Sequence, residues 1–259
     1  MEGKFHIKLA AERLTEIFGL PITNTIITAW IVMALLIILG LVIRKRIALV
    51  PGKLQNAVEM LIEYLFNLVE ETLGSRELAK RYFPLIATIF IFILAGNLLD
   101  LIPIFETIGI HHGGEFIPLF HPVNADLNST LALAIISFFT IELSGIFTLG
   151  FLKYGSKFVN FKGGFMGFMI GLIEIIGNLA RLISLSFRLF GAIFAGEVLL
   201  LIIGAFVPLF LPVPMMAFEA FIGILQAAIF AILTLAFIKI AIAEPHGHEA
   251  SHGETRAAH

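Results

Sequence analysis

Arg188 is the residue of this sequence whose type and position most clearly indicate a chemical task. Its guanidinium stands inside a long apolar run, with SLSF before it and LFGAIFAGE after it. A charged side chain at the centre of a bilayer costs at least ~2.5 kcal/mol on insertion scales. Membrane proteins retain such residues mainly in ion pathways, so the pattern predicts a functional cation at membrane depth.

Small residues accompany Arg188 along one face of its predicted helix. At ~100° per residue, the narrow stripe around it consists of Gly177, Ala180, Ser184, Gly191 and Ala195. Small side chains allow another membrane helix to approach closely, so we predict a face past which a second helix slides. A static packing seam with a snorkelling arginine is the alternative, although Arg188 lies far from both helix ends.

Carboxylates at defined spacings from Arg188 are candidates for carrying protons. Glu174 and Arg181 precede it by multiples of seven, so they share its broad face. Glu197 follows nine residues later, on the opposite side of the helix. We therefore expect Glu174 towards the cytoplasmic side and Glu197 in the outer half of the membrane.

A second helix brings further polar groups to the same level. Glu219 and Gln226 share one of its faces, and Glu219 falls at a depth similar to that of Glu197. Two buried carboxylates at one depth suit a proton relay that opens outward, and a structural hydrogen-bonded pair is the alternative. The candidates for the mouth of this path are Asn97, Asp100, Asp126 and Asn128. Helix capping is the alternative for these four, above all for Asp126 before the 127–151 helix.

The histidines give weaker signals. His111, His112 and His121 could collect protons at the outer surface or simply belong to a solvated loop. Four other histidines lie near the C-terminus, at His246, His248, His252 and His259. For these four a flexible polar tail is favoured over a metal site, and no metal site is predicted.

The composition is that of a helical integral membrane protein. The 259 residues are 59% hydrophobic and only 14% charged, whereas soluble domains carry roughly 25% charged residues. The absence of cysteine excludes disulfide, thiolate and iron–sulfur chemistry. A net charge of −2 gives no indication of nucleic-acid binding. The N-terminus lacks a signal-peptide pattern, so the first spanning helix is expected to act as the insertion signal.

Five spanning helices must position these side chains. The predicted spans are 24–43, 83–103, 127–151, 164–207 and 215–243. Residues 1–22 are expected to form a short amphipathic lead, and 53–80 an amphipathic helix on the cytoplasmic interface or against a partner protein. A helix over 164–207 would be about twice as long as the ~30 Å hydrocarbon core. We predict that 164–207 is one strongly tilted helix that does not turn back within itself, and that it forms a hairpin with the last helix.

Basic residues set the predicted orientation. Lys and Arg cluster after the first span and in the loop after the third: Arg44, Lys45, Arg46, Lys153, Lys157 and Lys162. The positive-inside rule then places the N-terminus outside and the C-terminus in the cytoplasm. We expect one integral membrane domain over 1–243 and a polar cytoplasmic tail over 244–259.

Several motifs together resemble one family. The stretch SLSFRLFGAIFAGE (Ser184 to Glu197), followed by FEAFIGILQAAIF (Phe218 to Phe230), resembles subunit a of the F-type ATP synthase membrane sector. GNLLDLIP (Gly96 to Pro103) and ADLNSTLALA (Ala125 to Ala134) are similar to the same family. The resemblance covers roughly residues 20–243.

This resemblance implies roles for the candidate residues. Arg188 would be the essential stator arginine, and the small stripe would face a ring of subunit c. Glu197, Glu219 and Gln226 would shape the outer half-channel and the ring interface, and Glu174 the inner half-channel. Family members often carry Asn where this chain has Ala192, and many bacterial members carry His where it has Glu219.

The implied function is that of a stator subunit in a rotary ATP synthase, not an enzyme by itself. Two offset proton half-channels and the arginine would drive deprotonation and reprotonation of ring carboxylates, coupling proton translocation to rotation. The implied partners are the c-ring, a b or b/b′ peripheral stalk, the rest of the FoF1 complex and the lipid bilayer. No cofactor, nucleic acid or substrate other than the ion is implied, and the location is an energy-transducing inner membrane such as the bacterial plasma membrane.

Two other functions compete with this interpretation. A self-sufficient secondary transporter would usually show internal repeats and broken helices, which the sequence lacks. An intramembrane enzyme would need a catalytic motif, but there is no HExxH, no cysteine and no Ser–His pair at membrane depth. The choice between H⁺ and Na⁺ as the coupling ion would depend on the ring.

Overall fold

The computed structural model describes residues 13–17, 20–45, 47–48, 51–102, 108–112, 115–151, 154–155, 164–207 and 210–243. The helices of this part are α1 (Asn24–Lys45), α2 (Lys53–Leu73), α3 (Arg76–Asp100), α4 (Leu127–Leu149), α5 (Gly164–Phe206) and α6 (Pro212–Ile242). All except α2 are long and apolar enough to cross a membrane. The predicted all-α membrane protein with five spanning helices is confirmed. The cytoplasmic loop lysines and the tail 244–259 lie outside the described residues.

Two short antiparallel hairpins lie on the connections. β1 (Arg13–Ile17) pairs with β2 (Leu20–Thr23), and β3 (Gly109–His112) pairs with β4 (Glu115–Pro118). The first hairpin lies at the end of the expected amphipathic lead and the second between α3 and α4, and neither hairpin was predicted. Both strand pairs are too short for alternation of polar and apolar residues to indicate them.

The boundary between α2 and α3 corrects the prediction of one helix over 53–80. α2 ends at Leu73 because Gly74 adopts a left-handed conformation with φ 69°, and its N–H donates to Glu70 O at 2.8 Å. α3 begins directly afterwards at Arg76, seven residues before the predicted span. Residues 76–80, which the sequence pattern joined to the amphipathic helix, therefore belong to the second spanning helix.

Prolines likewise shift the start of the last helix. α6 begins at Pro212 rather than at 215. Proline suits the first turn of a helix because the N–H that it lacks would have no partner there. Pro212 and Pro214 therefore start the helix instead of forming the turn before it.

α5 is a single continuous helix of 43 residues. At 1.5 Å per residue it is about 65 Å long, so the prediction of one long helix instead of a segment that turns back is confirmed. α6 packs against α3, α4 and α5, and α4 also packs against α5, whereas α1 packs on α3 and is otherwise largely exposed. The most deeply buried core side chains include Ile86, Ile93, Leu189, Leu235 and Ile238.

Candidate functional site

Arg188 lies on the exposed side of α5. The opposite side is fixed in the core by Leu185, Leu189 and Ile193, all of which are buried. This packing sets the rotation of the helix and turns the guanidinium outward. No carboxylate among the described residues lies within salt-bridge distance of Arg188.

The predicted small stripe forms an uncovered surface around this guanidinium. Ala180, Ser184 and Ala195 are exposed. A Cβ added to Gly177 or Gly191 would meet no atom within 4 Å outside its own helical turn. The rim is apolar, since Leu179, Ile183 and Phe187 are also exposed. Arg188 therefore stands on an apolar face of small residues that the described part of the chain leaves uncovered.

A cavity of about 310 Å³ lies between the C-terminal ends of α3 and α5 and the N-terminal end of α6. Its wall includes three carboxylates, Asp100, Glu197 and Glu219. The remaining lining is mostly apolar and includes Leu200, Leu201 and Met216. The structure thus brings Glu197 and Glu219 together at the common depth that their spacing indicates, and it adds Asp100 to them.

Glu219 is held in the contact between the two long helices. Its side chain is only 8% exposed. A Cβ on Gly196 would lie 2.9 Å from Glu219 Oε1, so the missing side chain at Gly196 leaves the room that the carboxyl group occupies. Gln226 follows two turns later on α6 and is partly exposed.

His121 reaches the same region from the segment before α4. It is 8% exposed, and its Nδ1 lies 3.7 Å from Glu197 Oε1. Its backbone N–H donates to Thr28 Oγ1 of α1 at 3.2 Å. The sequence placed His121 at the outer surface, whereas the structure buries it against the carboxylate of α5. The side chains of His111 and His112 are not among those described.

Asn97 belongs to a buried polar network just inside the cavity. Its Nδ2 donates to Gly223 O of α6 at 2.8 Å, and Asn124 Nδ2 donates to Asn97 Oδ1 at 2.7 Å. Asn124 Nδ2 also lies 3.3 Å from Ile93 O. The network joins α3, α6 and the segment before α4. Sequence reasoning missed Asn124, which no helical spacing connects to Asn97.

Asp126 and Asn128 lie at the beginning of α4. Asp126 is the N-cap of this helix, and its Oδ1 accepts from the Asn128 N–H at 2.9 Å and from Asn128 Nδ2 at 3.1 Å. The capping alternative for Asp126 is therefore confirmed. A contribution of these two residues to the mouth of the path stays a prediction.

A second polar cluster surrounds Glu142 near the other end of the bundle. Tyr154 OH donates to Glu142 Oε2 at 2.9 Å, and Asn178 Nδ2 donates to Oε1 at 2.9 Å. The Tyr154 ring lies against Gly145, where a Cβ would overlap it. Burial raises the pKa of Tyr154 above its ordinary value, and its hydrogen bond to Glu142 raises the pKa further. The hydroxyl therefore remains a donor at neutral pH.

Glu174 and Arg181, which the sequence placed on one broad face of the helix, lie beside this cluster. Arg181 Nη2 is 3.9 Å from Glu174 Oε1, and the guanidinium lies 5.2 Å from the centre of the Phe237 ring. Sequence reasoning missed Glu142, although a carboxylate inside the apolar stretch ISFFTIELSGIF is the same kind of signal that identified Arg188. Within the described ranges, no three acidic or histidine side chains are grouped to hold a metal ion.

Comparison with known proteins gives consistent matches over most of the chain. The sequence profile of the family described as ATP synthase A chain matches residues 26–239. ATP synthase subunit a 1 of Syntrophotalea carbinolica is 39% identical over 218 residues, which are 84% of this chain and 85% of that protein. ATP synthase subunit a of Geobacter sulfurreducens is 36% identical over 226 residues, covering 86% and 89%. ATP synthase subunit a of Moorella thermoacetica is 34% identical over 239 residues, covering 91% and 98%.

Proposed function

The chain belongs to the ATP synthase A chain family, and on this basis we propose that it couples ion flow to the rotation of a ring of subunit c. It is an ion-translocating subunit of the ATP synthase and not an enzyme by itself. In the proposed mechanism the chain supplies two offset half-channels and one fixed positive charge between them. The moving carboxylates belong to the ring.

The exposed guanidinium of Arg188 is the observation that carries this proposal. A membrane cation is costly when no carboxylate lies nearby, and none of the described residues provides one for Arg188. The stripe from Gly177 to Ala195 leaves room for a partner helix to approach. An acidic helix of a second subunit would both cover the face and pair with the charge.

The direction of proton exchange follows from the charge of Arg188. A ring carboxylate crosses lipid in its protonated form because an ionised carboxylate is too costly there. Beside the guanidinium the ionised form becomes favourable, so the proton leaves through one half-channel and another proton arrives from the other. Arg188 does not itself carry protons, since a guanidinium is not deprotonated in proteins.

Two polar regions on opposite sides of Arg188 support two separate half-channels. The cavity with Asp100, Glu197 and Glu219 would form the outer one, and Glu197 is about 14 Å along α5 from Arg188. The cluster around Glu142 and Glu174 would form the inner one, with Glu174 about 21 Å away in the other direction. A proton can then cross only by travelling with the ring between the two regions.

The same proposal assigns partners and a membrane orientation to the subunit. The c-ring would cover the α5 face. The helix α2, which exposes Met60, Ile62 and Tyr64, would lie on the cytoplasmic interface or against a b or b/b′ stalk. The subunit would sit in a bacterial plasma membrane with its N-terminus outside and its C-terminus in the cytoplasm. This orientation rests on the basic residues that follow α1.

Proton pumping by inverted vesicles that contain the complete complex tests the role of Arg188. We expect Arg188→Lys to abolish ATP-driven pumping although the charge is kept, because lysine is a compact charge that loses its proton when buried. The matched control is Arg81→Lys, at an exposed arginine of α3 that lies 5.8 Å from the ring of Tyr82. It should retain normal pumping.

Near-normal pumping by Arg188→Lys would refute the proposal. Ion transport by the purified chain in liposomes without other subunits would instead favour a self-sufficient transporter. Immunoblots of the vesicles must show equal amounts of subunit a and of the ring in the variants and the wild type, so that a loss of pumping is not a loss of assembly.

A further inference from the structure

We propose that His121 is a proton-relay residue of the outer half-channel, which takes up protons from the outer aqueous phase and passes them to Glu197. This inference rests on the proposed function and deepens it. It assigns the first protein group of the outer path to the segment before α4, not to one of the spanning helices.

The position of His121 supports this role. The residue shares a small pocket with Thr28 of α1 and with Gly96 and Asp100 of α3, and it faces Glu197 of α5. Asp100 also lines the large outer cavity with Glu197 and Glu219. The imidazole is therefore placed between the outer end of α3 and the carboxylates that face the cavity.

The distance between His121 Nδ1 and Glu197 Oε1 is 3.7 Å, within the range of an ion pair. It is ~0.5 Å longer than a good N–H···O hydrogen bond, so a small side-chain movement brings the two groups to transfer distance. Relay geometries commonly tighten only in the working complex.

The acidic groups around the imidazole can serve as proton acceptors. Glu197 faces it from α5, Asp100 of α3 lines the small pocket with it, and Glu219 of α6 lines the large cavity together with Glu197. α1 contributes the uncharged Thr28. Because imidazole changes protonation between roughly pH 5 and 8, His121 can accept a proton from water where free hydronium is scarce.

Contacts that do not involve the imidazole also anchor the segment that carries His121. The backbone N–H of His121 bonds to Thr28 Oγ1, and the Asn124 side chain bonds to Asn97 Oδ1 and Ile93 O. These contacts stay in place when the ring is replaced. A role in proton transfer can therefore be separated from a role in holding the loop.

The transfer is balanced in protons and charge. A water molecule gives a proton to one ring nitrogen, forming the imidazolium and hydroxide, which diffuses back to the outer phase. The Nδ1–H bond then breaks as an O–H bond forms on the Glu197 carboxylate, which becomes neutral. His121 returns to a neutral imidazole, and exchange with water restores the starting tautomer.

Proton flux through the complete complex in liposomes tests the relay. A potassium diffusion potential drives protons inward from the side that corresponds to the outer face, and the pH of this side is varied from about 6 to about 9 across the imidazole range. The test variant is His121→Asn, which keeps a donor near the position of Nδ1 but does not titrate. His246→Asn, the same substitution in the C-terminal tail, is the matched control.

We expect His121→Asn to equal the wild type near pH 6 and to fall at least ~3-fold below it near pH 8, because the relay matters when hydronium is scarce. The control should follow the wild type throughout. If the ratio of the His121→Asn flux to the wild-type flux did not change with pH, the proposal would be overturned. Should this variant not assemble, His121→Gln takes its place with the same two outcomes.

Imidazole in the outer buffer provides a second readout with His121→Ala. Added imidazole should restore the flux of this variant at pH 8 and leave the wild type unchanged, and failure to restore it would count against the relay. A wild-type complex that conducts no protons would instead contradict the proposed function itself. The two failures are therefore distinguishable.

Discussion

Glu219 Oε1 lies 2.9 Å from the point that a Cβ of Gly196 would occupy, so the carboxyl group of α6 rests directly on the backbone of α5. The contact places the buried carboxylate beside Glu197, the next residue of α5. A glycine at 196 is therefore part of the geometry of the outer cavity, although it carries no functional group.

Gly196→Ala should slow proton flux through the outer half-channel. The added methyl group moves the Glu219 carboxyl group by a few tenths of an ångström, and misplacing a catalytic group by ~1 Å can cost ~100-fold in rate. We expect up to ~10-fold lower passive flux in an assembled complex. Gly40→Ala, where an added Cβ meets nothing within 4 Å, is the control. An unchanged flux would show that the position of Glu219 does not limit the path.

Gly191→Leu should prevent ring binding without unfolding the subunit. A Cβ at this position meets nothing within 4 Å, so the chain itself accommodates a larger side chain. A leucine would nevertheless hold a partner helix away from Arg188. Co-purification of the ring with the subunit measures the effect, and Gly40→Leu on α1 is the matched control. Normal ring recovery with Gly191→Leu would mean that this face is not the interface.

Asn97→Leu should destabilise the contact between α3 and α6. The substitution removes the buried hydrogen bonds that Asn97 makes to Gly223 O and to Asn124 Nδ2, which costs about 1–3 kcal/mol. The corresponding fall in the melting midpoint of the detergent-solubilised complex is ~2–10 °C. Asn128→Leu, at an exposed residue, should change the midpoint much less. Equal effects of the two substitutions would contradict the structural role of the network.

Tyr154→Phe should change how stability depends on alkaline pH. Because burial raises the pKa of Tyr154 in the folded chain, the contribution of this group is complete below the ordinary tyrosine value of ~10 and is lost as the pH rises above it. The variant lacks the hydrogen bond to Glu142 and should be less stable than the wild type at pH 8.

The difference in stability between Tyr154→Phe and the wild type should shrink from pH 8 to pH 11, as measured by thermal unfolding in detergent. Tyr64→Phe is the control, since the Tyr64 side chain is exposed on α2. A difference that stays constant or widens with pH would contradict the assigned environment of the hydroxyl group.

Local sequence patterns predicted the spanning helices and the long α5 well. Apolar length identifies a spanning helix directly, and the absence of proline from 164–207 correctly indicated one continuous helix. Helical spacing also placed Glu197 and Glu219 at one level. These successes share one cause, since each concerns residues within a helix or on two helices joined by a short turn.

Contacts between distant segments could not be read from spacing. Tyr154 reaches Glu142 from the connection before α5, and His121 reaches Glu197 across 76 positions of the chain. Such contacts depend on how helices pack, which periodicity within one helix does not contain. The merging of 76–80 into α2 had a local cause, because a single glycine ended the helix where the amphipathic pattern continued.

One apolar core separates the two polar regions, and Leu185, Leu189 and Ile193 of α5 share it with the buried Ala227 and Phe230 of α6. In the proposed mechanism this core would keep protons out of the interior of the bundle and direct them to the exposed face beside the guanidinium. A subunit made without its ring would then leave the membrane sealed to protons.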